Sequence, residues 1–298
     1  MKIGVIGLGR MGLAIAERLV KAGIAVVGVD PDVTKKNVVE ALGICFVSSC
    51  QELAAKAQVI WLMVPAGDAV DGVLEQLLPH MQSGSIVIDG GNSFFKDSVR
   101  RAALLEAKGF HFIDCGTSGG LHGKELGYSL MVGGAADAVE RCRPIFRAVA
   151  MQPGGYAHVG PVGAGHYVKM VHNGIEYAVL QAYGEGFQLL KEGPYKGLDL
   201  AAIATVWNNG SIIRSWIGEL AQEVLTHDQE LTHISGAIGE NKTGQWTVEL
   251  AKEHGIELPV IEKSLAVRAW SRVTGGNYAT KLVAMLRQAF GGHPVEKK

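Results

Sequence analysis

Residues 2–30, KIGVIGLGRMGLAIAERLVKAGIAVVGVD, decide the fold of this chain. Residues 2–7 are an apolar run that predicts a strand, residues 11–22 have the periodicity of a helix, and residues 24–30 predict a second strand. Gly23 suits the end of the helix. A strand, a glycine-rich turn, a helix and a further strand are the unit from which doubly wound α/β sheets are built.

The turn inside this unit, residues 7–12, has the GxGxxG spacing of a dinucleotide-binding site. Its glycines permit a tight turn and a close approach to a pyrophosphate, and the following helix offers amide donors and partial positive charge. Asp30, at the end of the second strand, would accept hydrogen bonds from both adenosine ribose hydroxyls and repel a 2′-phosphate. NAD is therefore the expected cofactor, although Arg10, Lys35 and Lys36 leave room for NADP. The alternative is a structural turn that binds nothing.

Short apolar segments alternate with helical patterns up to about residue 160. They predict an N-terminal domain, residues 1–160, with a doubly wound, Rossmann-type parallel sheet covered by helices on both faces. After a Gly/Pro-rich stretch the strands disappear, and an all-helical C-terminal domain is expected over residues 161–298. The later predicted strands are 58–64, 85–89, 110–114, 128–134 and 155–158, and the predicted C-terminal helices are 163–191, 198–208, 211–226, 244–254 and 259–290.

Three loops are expected at the carboxyl edge of the sheet, where open α/β folds bind their ligands. The first can line a nicotinamide pocket, the second (90–97) can hydrogen-bond a carboxylate or hydroxyl, and the third (115–125) can form an anion-binding nest. Each could also be an ordinary turn, because Asn, Ser and Gly are common turn residues. The residues assigned to these loops are Val64, Pro65 and Ala66, then Asn92, then Ser118, Gly119 and Gly120.

The segment 163–187, GAGHYVKMVHNGIEYAVLQAYGEGF, predicts the start of a long helix. Lys169, Asn173 and Glu176 would share one stripe of that helix, spread over roughly 60°. The helix has apolar residues on most sides, which is typical of a buried helix. Buried ionisable groups usually have a partner or a function, so this stripe predicts a site that moves the protons of a polyhydroxylated acid. An exposed Lys–Glu pair on a solvated helix is the alternative.

Composition excludes several classes of protein. The 298 residues include 48% hydrophobic residues, carry a net charge of −1 and contain four cysteines. We see no basic tract for nucleic acid, no membrane-spanning apolar run, and no room for a cleavable leader before the first strand. The cysteines lack the spacing of metal ligands or redox pairs, so we expect no metal and no disulfide, and a cytoplasmic protein.

These motifs together resemble the decarboxylating 6-phosphogluconate dehydrogenases. The resemblance covers nearly the whole chain, and because the chain is shorter than the common members it resembles the short form of the family. KMVHNGIEY is far more specific than the glycine fingerprint. The matching segments are GLGRMG (7–12), VPAG (64–67), GGNS (90–93), SGG (118–120), KMVHNGIEY (169–177), Arg287 and FGGH (290–293).

The resemblance implies oxidative decarboxylation of 6-phospho-D-gluconate to ribulose 5-phosphate and CO₂ with reduction of NAD or NADP, in the pentose phosphate pathway. It implies that Lys169 is the general base and then the acid, and that Glu176 is the proton donor. The implied substrate ligands are Asn92, Ser118, Gly119, Gly120, His172, Asn173, Tyr177, Arg268, Arg287 and His293, with Lys242 as a candidate for the phosphate. The cofactor ligands are expected to be Gly7, Leu8, Gly9, Arg10, Met11, Gly12, Asp30, Val64, Pro65, Ala66 and Asn92.

The resemblance also implies a homodimer or homotetramer through the helical domain, in which Arg287 and His293 can serve a neighbouring site. Two other functions stay open on the residues alone. A β-hydroxyacid dehydrogenase with another small substrate shares the fold, but HNGIEY and the FGxH tail argue against it. A non-catalytic NAD-sensing protein is the third option, and the presence of both Lys169 and Glu176 argues against that.

Overall fold

The structure is a computed structural model, and it describes residues 2–298. In that part of the chain the strands form a single sheet, and the contacts divide the chain into one unit that ends at Met170 and one that begins at Val171. The strands are β1 (Lys2–Ile6), β2 (Ala25–Val29), β3 (Cys45–Phe46), β4 (Val59–Leu62), β5 (Ile86–Asp89), β6 (His111–Ser118), β7 (Ser129–Gly134) and β8 (Tyr156–Gly160).

Helices connect these strands, as the alternating pattern predicts. Both faces of the sheet are apolar: Val5 and Trp61 belong to the core on one face, and Ile60 and Leu62 to the core on the other. The strands are therefore continuously hydrophobic, as a sheet covered on both sides requires. The helices of this unit are α1 (Arg10–Lys21), α2 (Lys36–Ala41), α3 (Cys50–Lys56), α4 (Asp68–Leu77), α5 (Phe95–Glu106), α6 (Gly123–Leu126) and α7 (Ala136–Val149).

The strand order is β3-β2-β1-β4-β5-β6-β7-β8. Because the chain moves outward from β1 in both directions, the carboxyl ends of β1 and β4 flank the point where the order reverses, which is where open sheets bind ligands. The doubly wound Rossmann-type fold is thus confirmed. The prediction of an entirely parallel sheet needs one correction, since β6 and β7 are antiparallel, with Ser118 paired to Ser129. The connection between them is too short for the crossover that a parallel pair requires.

The second unit is built from helices, as predicted. Its core contains Leu180 and Phe187 from one helix, packed with Leu220, Leu225 and Leu282 from others. The helices are α8 (Ala164–Glu192), which starts in the first unit, α9 (Leu200–Asn208), α10 (Trp216–His227), α11 (Lys242–Glu253), α12 (Pro259–Thr274) and α13 (Tyr278–Gly291).

The predicted helix over 259–290 is wrong as a single element, because two helices occupy it. Gly275 and Gly276 both have positive φ, +78° and +68°, which an α-helix does not allow. Asn277 then caps α13 by accepting a hydrogen bond from the amide of Thr280, and the Thr280 side chain accepts one from the amide of Asn277. This reciprocal pair is a capping box and starts a new helix.

The boundary between the two compact units follows Met170, ten residues after the predicted boundary at residue 160. The difference comes from the first turns of α8, which pack on the sheet. Gly165 lies so close to the backbone of Asp114, Met131 and Gly133 that a side chain there would overlap them. No helix within residues 2–298 combines the length and the apolar character needed to cross a membrane.

Candidate active site

The glycine turn between β1 and α1 has the geometry that a dinucleotide needs. Gly7 has a φ of +89°, and a side chain on Gly12 would overlap the carbonyl oxygen of Gly7. Those two glycines are therefore required by the turn itself. A Cβ on Gly9 would meet no atom within 4 Å, so that glycine leaves open space beside the first amides of α1. Helix N-terminal amides with open space in front of them fit a pyrophosphate.

Asp30 is buried at the end of β2, and it binds the glycine turn as well as being available to a ribose. Its Oδ2 accepts a hydrogen bond from the amide of Leu8 at 2.7 Å. Its Oδ1 accepts one from the amide of Asp32 at 2.9 Å and one from Lys35 Nζ at 3.0 Å. A carboxylate has about four acceptor positions. Three are occupied, so a ribose with two hydroxyls would have to replace the Lys35 ammonium at one of them.

The loops after β4 and β5 lie at the same edge of the sheet. Val64 is half-buried and Pro65 and Ala66 are exposed, just before Gly67 caps α4. After β5, the Asp89 carboxylate accepts hydrogen bonds from the Gly91 amide at 3.1 Å and from the Ser93 hydroxyl at 2.8 Å. These bonds shape the turn that presents Asn92, whose side chain is exposed.

The third loop is shorter than predicted. Residues 115–118 continue β6, because they pair with β7 as far as Ser129, and only the residues after Ser118 form the loop. Gly119 and Gly120 have φ of +132° and +53°, so the nest-forming residues do adopt an unusual backbone. Ser118 is part of a strand rather than a loop, and its pairing with Ser129 fixes its backbone in the sheet.

Helix α8 is joined to the sheet at its first turn. The buried carboxylate of Asp114 on β6 accepts hydrogen bonds from the amides of Gly163 at 2.7 Å and His166 at 2.8 Å, which satisfies the start of the helix. Gly116, two residues further along β6, lies directly against the Cβ of Lys169. Side chains two apart on a strand share a face, so Ser118 lies on the face that Lys169 approaches. Neither Asp114 nor Gly116 was among the site residues predicted from the sequence.

Lys169, Asn173 and Glu176 all belong to α8, so they share one stripe as predicted. Lys169 is 8% exposed and Asn173 is 5% exposed, while Glu176 is partly buried. The alternative of a solvated Lys–Glu pair is therefore wrong for the lysine. Seven residues of helix separate the amine from the carboxyl by about 10 Å along the axis.

Polar contacts tie this stripe to α11. Asn173 Nδ2 donates to the Thr243 hydroxyl at 3.2 Å, and the Oδ1 of Asn173 lies 3.2 Å from Nδ1 of His172. The Tyr177 hydroxyl donates to Asn241 Oδ1 at 2.7 Å. Asn241 is also the N-cap of α11, since its side chain accepts a hydrogen bond from the amide of Thr243.

These contacts change the interpretation of residues 240–246. Lys242, the residue we predicted for the phosphate, is exposed at the first position of α11. Asn241 and Thr243, on either side of it, are the residues that bond to the α8 stripe. The sequence held a signal for them, because an Asn directly before a helical pattern is a typical N-cap.

Arg268 on α12 is the most unusual cation of the helical unit. Its guanidinium carbon lies 3.4 Å from the centroid of the Tyr177 ring, and the residue is 1% exposed. Neither Nη1 nor Nη2 has a hydrogen-bond partner among the described residues. Burial, with a smaller contribution from the charge of Arg287, lowers the pKa of Arg268 to about 10. Arg287 on α13 is 6% exposed, and burial lowers its pKa as well.

Arg268 and Arg287 are buried guanidinium groups that repel each other, while the charges of Glu176 and Glu240 favour both cations. A bound phosphate would add a direct anionic partner, because arginine binds phosphate through a bidentate fork. His293, in the tail after α13, is partly buried, and its ring packs edge-on against Phe290 with centroids 5.9 Å apart.

Comparison with known proteins agrees with this geometry. The NAD binding domain of 6-phosphogluconate dehydrogenase matches residues 2–160, and the 6-phosphogluconate dehydrogenase C-terminal domain matches residues 165–297. The chain belongs to the 6-phosphogluconate dehydrogenase family. The family resemblance and the NAD(P)-dependent oxidoreductase class predicted from the sequence are thereby confirmed.

Individual relatives of the 6-phosphogluconate dehydrogenase family agree. The NAD(+)-dependent, decarboxylating enzyme of Haloferax volcanii is 47% identical and covers 100% of this chain and 99% of its own length. The solved 6-phosphogluconate dehydrogenase of Plasmodium falciparum is 29% identical, with a TM-score of 0.84, over 92% of this chain and 62% of that one. A solved 3-hydroxyisobutyrate dehydrogenase of Mycobacterium tuberculosis is 25% identical, with a TM-score of 0.76, over 96% of this chain and 99% of that one. Fold alone therefore does not separate the two activities.

Proposed function

We propose that this chain oxidises and decarboxylates 6-phospho-D-gluconate with NAD, as a short member of its family. The observation that carries the substrate assignment is Arg268, a buried guanidinium with two unpartnered amino groups beside a second buried guanidinium, Arg287. A hydroxyacid without a phosphate offers no direct anionic partner for these charges. A phosphorylated sugar acid would neutralise them with its dianion.

NAD, when bound, accepts a hydride from C3 of the substrate. In this proposal Lys169 takes the proton of the C3 hydroxyl as the hydride leaves, which converts the hydroxyl into a ketone. This role requires the amine of Lys169 to be neutral when it takes the proton. The protonated lysine then stabilises the enolate oxygen that forms when CO₂ departs, in the manner of an oxyanion donor. No metal is needed, because the β-ketone accepts the electrons of the broken bond.

The last step is protonation of the carbon that becomes C1 of ribulose 5-phosphate, and we assign it to Glu176. Lys169 and Glu176 are seven positions apart on α8, so the helix itself fixes their spacing. Asn173, His172 and Tyr177 are the proposed hydrogen-bonding residues for the sugar acid from the same helix. Asn92 and the residues Ser118, Gly119 and Gly120 are proposed to bind its carboxylate end, and Arg268, Arg287 and His293 its phosphate end.

Asp30 supports NAD over NADP, because a carboxylate at the ribose repels a 2′-phosphate. We also propose a homo-oligomer formed through the helical unit, with Arg287 and His293 able to serve a neighbouring site. In support, the segment from α9 to α10 exposes large apolar side chains, including Val206 at 67%, Ile212 at 102% and Trp216 at 40%. Four free cysteines fit a reducing, cytoplasmic location, and a place in the pentose phosphate pathway follows from the proposed reaction.

Steady-state kinetics with the purified protein test the proposal. We expect 6-phosphogluconate and NAD to give reduced cofactor and CO₂ in equal amounts, and 3-hydroxyisobutyrate to give a kcat/KM at least about 100-fold lower. Lys169→Ala should abolish both products, because hydride transfer and decarboxylation depend on the same amine. Preference for 3-hydroxyisobutyrate, or full activity in Lys169→Ala, would overturn the assignment.

A further inference from the structure

Arg101 on α5 is fully buried at 0% exposure, although its neighbour Arg100 has a side chain that is 49% exposed. Both arginines bond to Asp71 on α4. Arg100 reaches it through Nη2, at 3.1 and 2.9 Å. Arg101 reaches it through Nε at 2.9 Å and Nη2 at 3.0 Å. Arg100 alone could compensate the charge of Asp71, so the burial of Arg101 needs another explanation.

Arg101 makes two further contacts that Arg100 does not make. Its Nη2 donates to the carbonyl oxygen of Gly67 at 3.0 Å. Its Nη1, which has no hydrogen-bond partner among the described residues, lies 3.7 Å from Asp89 Oδ2. Asp89 is 0% exposed, so its charge depends on this guanidinium for compensation.

Each of these contacts reaches a loop of the proposed site. Gly67 ends the loop of Val64, Pro65 and Ala66 after β4, and its φ of +89° makes that turn specific to glycine. Asp89 accepts hydrogen bonds from Gly91 and Ser93, the residues on either side of Asn92. The Arg101 guanidinium therefore contacts Gly67 at the end of the loop after β4 and faces Asp89 at the start of the loop after β5.

We propose that Arg101 is a positioning residue that sets the spacing between the loop after β4 and the loop after β5. Because it is fully buried, it acts through Gly67 and Asp89 and touches no ligand itself. Arginine suits this role because its fork holds several acceptors in fixed directions, whereas lysine offers a single point charge. The proposal rests on the proposed function, since it assigns these loops to nicotinamide and Asn92.

The test is Arg101→Lys, with Arg100→Gln as the matched control. Arg101→Lys keeps the charge but cannot reach Asp71, Gly67 and Asp89 together. We expect kcat to fall at least about tenfold, since displacements near 1 Å at a reacting centre can cost about 100-fold. The dissociation constant of NAD should change less than about threefold, because the glycine turn and Asp30 hold the other end of the cofactor. The kinetic isotope effect with C3-deuterated substrate should rise.

A second readout needs no substrate: the fluorescence of bound NADH reports the surroundings of its nicotinamide ring. In Arg101→Lys this emission should differ from wild type although NADH still binds, and in Arg100→Gln it should not. If Arg101→Lys does not fold, Asp89→Asn is the second variant, since it keeps the acceptor for Gly91 and removes the charge that Arg101 faces. The same pattern is expected.

The outcomes separate the two proposals. Loss of thermal stability with unchanged kcat per folded molecule, unchanged isotope effect and unchanged NADH emission would overturn the positioning role. Equal effects of Arg100→Gln and Arg101→Lys would overturn it too. A wild-type protein that binds NADH but does not turn over 6-phosphogluconate would overturn the proposed function, while the NADH emission would still decide the role of Arg101.

Discussion

Replacing Arg268 by Met should lower catalysis and leave the fold at least as stable. In the free protein this guanidinium is buried and packs on the Tyr177 ring, and its two amino groups have no hydrogen-bond partner among the described residues. Met fills a similar volume without a charge. Replacing buried ionic groups with apolar ones is often neutral or stabilising by about 1–4 kcal/mol. The lost cation–π contact costs up to about 2 kcal/mol.

Together the two terms leave a net change in unfolding free energy between about −1 and about +4 kcal/mol, and most of that range is stabilising. A change of about 1 kcal/mol moves Tm by roughly 2–4 °C in a domain of this size. We expect the Tm of Arg268→Met to equal that of wild type or to exceed it by a few degrees. A buried side chain whose removal does not destabilise the protein is one that the fold keeps for a ligand.

The catalytic loss follows from the same two amino groups. Charge-assisted hydrogen bonds contribute about 1.5–3 kcal/mol each, so two of them to a phosphate amount to about 3–6 kcal/mol. That corresponds to a fall in kcat/KM for 6-phosphogluconate of about 10²- to 10⁴-fold. D-Gluconate lacks only the phosphate, so its kcat/KM should change less than about threefold. The ratio of the two substrates isolates the phosphate contact from any general damage.

Arg272→Met is the control, because Arg272 lies on the same helix and is already paired with Glu240 at 2.6 Å. It should leave the substrate ratio unchanged. An equal loss of activity with both substrates in Arg268→Met would contradict a phosphate contact of this residue. A fall in Tm of several degrees would also contradict it, because the guanidinium would then stabilise the free protein.

Three shorter predictions concern the first unit. Arg101 holds the pKa of Asp71 near 2. The ionised Asp71 therefore stabilises the fold above about pH 4, and this stabilisation is lost as the pH falls towards 2. Asp71→Asn should lower the free energy of unfolding by about 1 kcal/mol at neutral pH, and the difference from wild type should disappear below about pH 2. Lys35→Gln should lower kcat/KM with NADP more than with NAD, because the Lys35 ammonium lies beside Asp30, and Lys36→Gln should not, because its ammonium pairs with Glu40 instead. Gly9→Ala should weaken NAD binding, measured by calorimetry, because its Cβ would occupy the open space proposed for the pyrophosphate; Tm should not change. Gly12→Ala should lower Tm, because its Cβ would overlap the carbonyl oxygen of Gly7.

Local sequence predicted the elements whose pattern is contained within a few turns. The glycine turn, the apolar strands and the stripe on α8 all depend on short spacings, and the structure has them. The two-residue strand β3 is too short to show a period, and the antiparallel β7 depends on pairing rather than on its own composition. The break at Gly275 and Gly276 was visible as a glycine pair followed by an Asn, but the apolar period on both sides concealed it.

Contacts between distant segments could not be predicted in the same way. Asn173 and Thr243 are 70 positions apart, and Tyr177 and Asn241 are 64 apart. No period in either helix indicates that they meet. The burial of Arg101 is a similar case, because its neighbour Arg100 is chemically identical and exposed, and only the packing of α5 on the sheet distinguishes them.

One feature that resists prediction also costs the free protein stability. The guanidinium of Arg268 is buried, and its two amino groups have no hydrogen-bond partner among the described residues, whereas buried charges are normally paired. A rule based on burial would place an apolar residue at this position. A cation there is favourable only if a ligand compensates its cost, and the phosphate of the proposed substrate would do so.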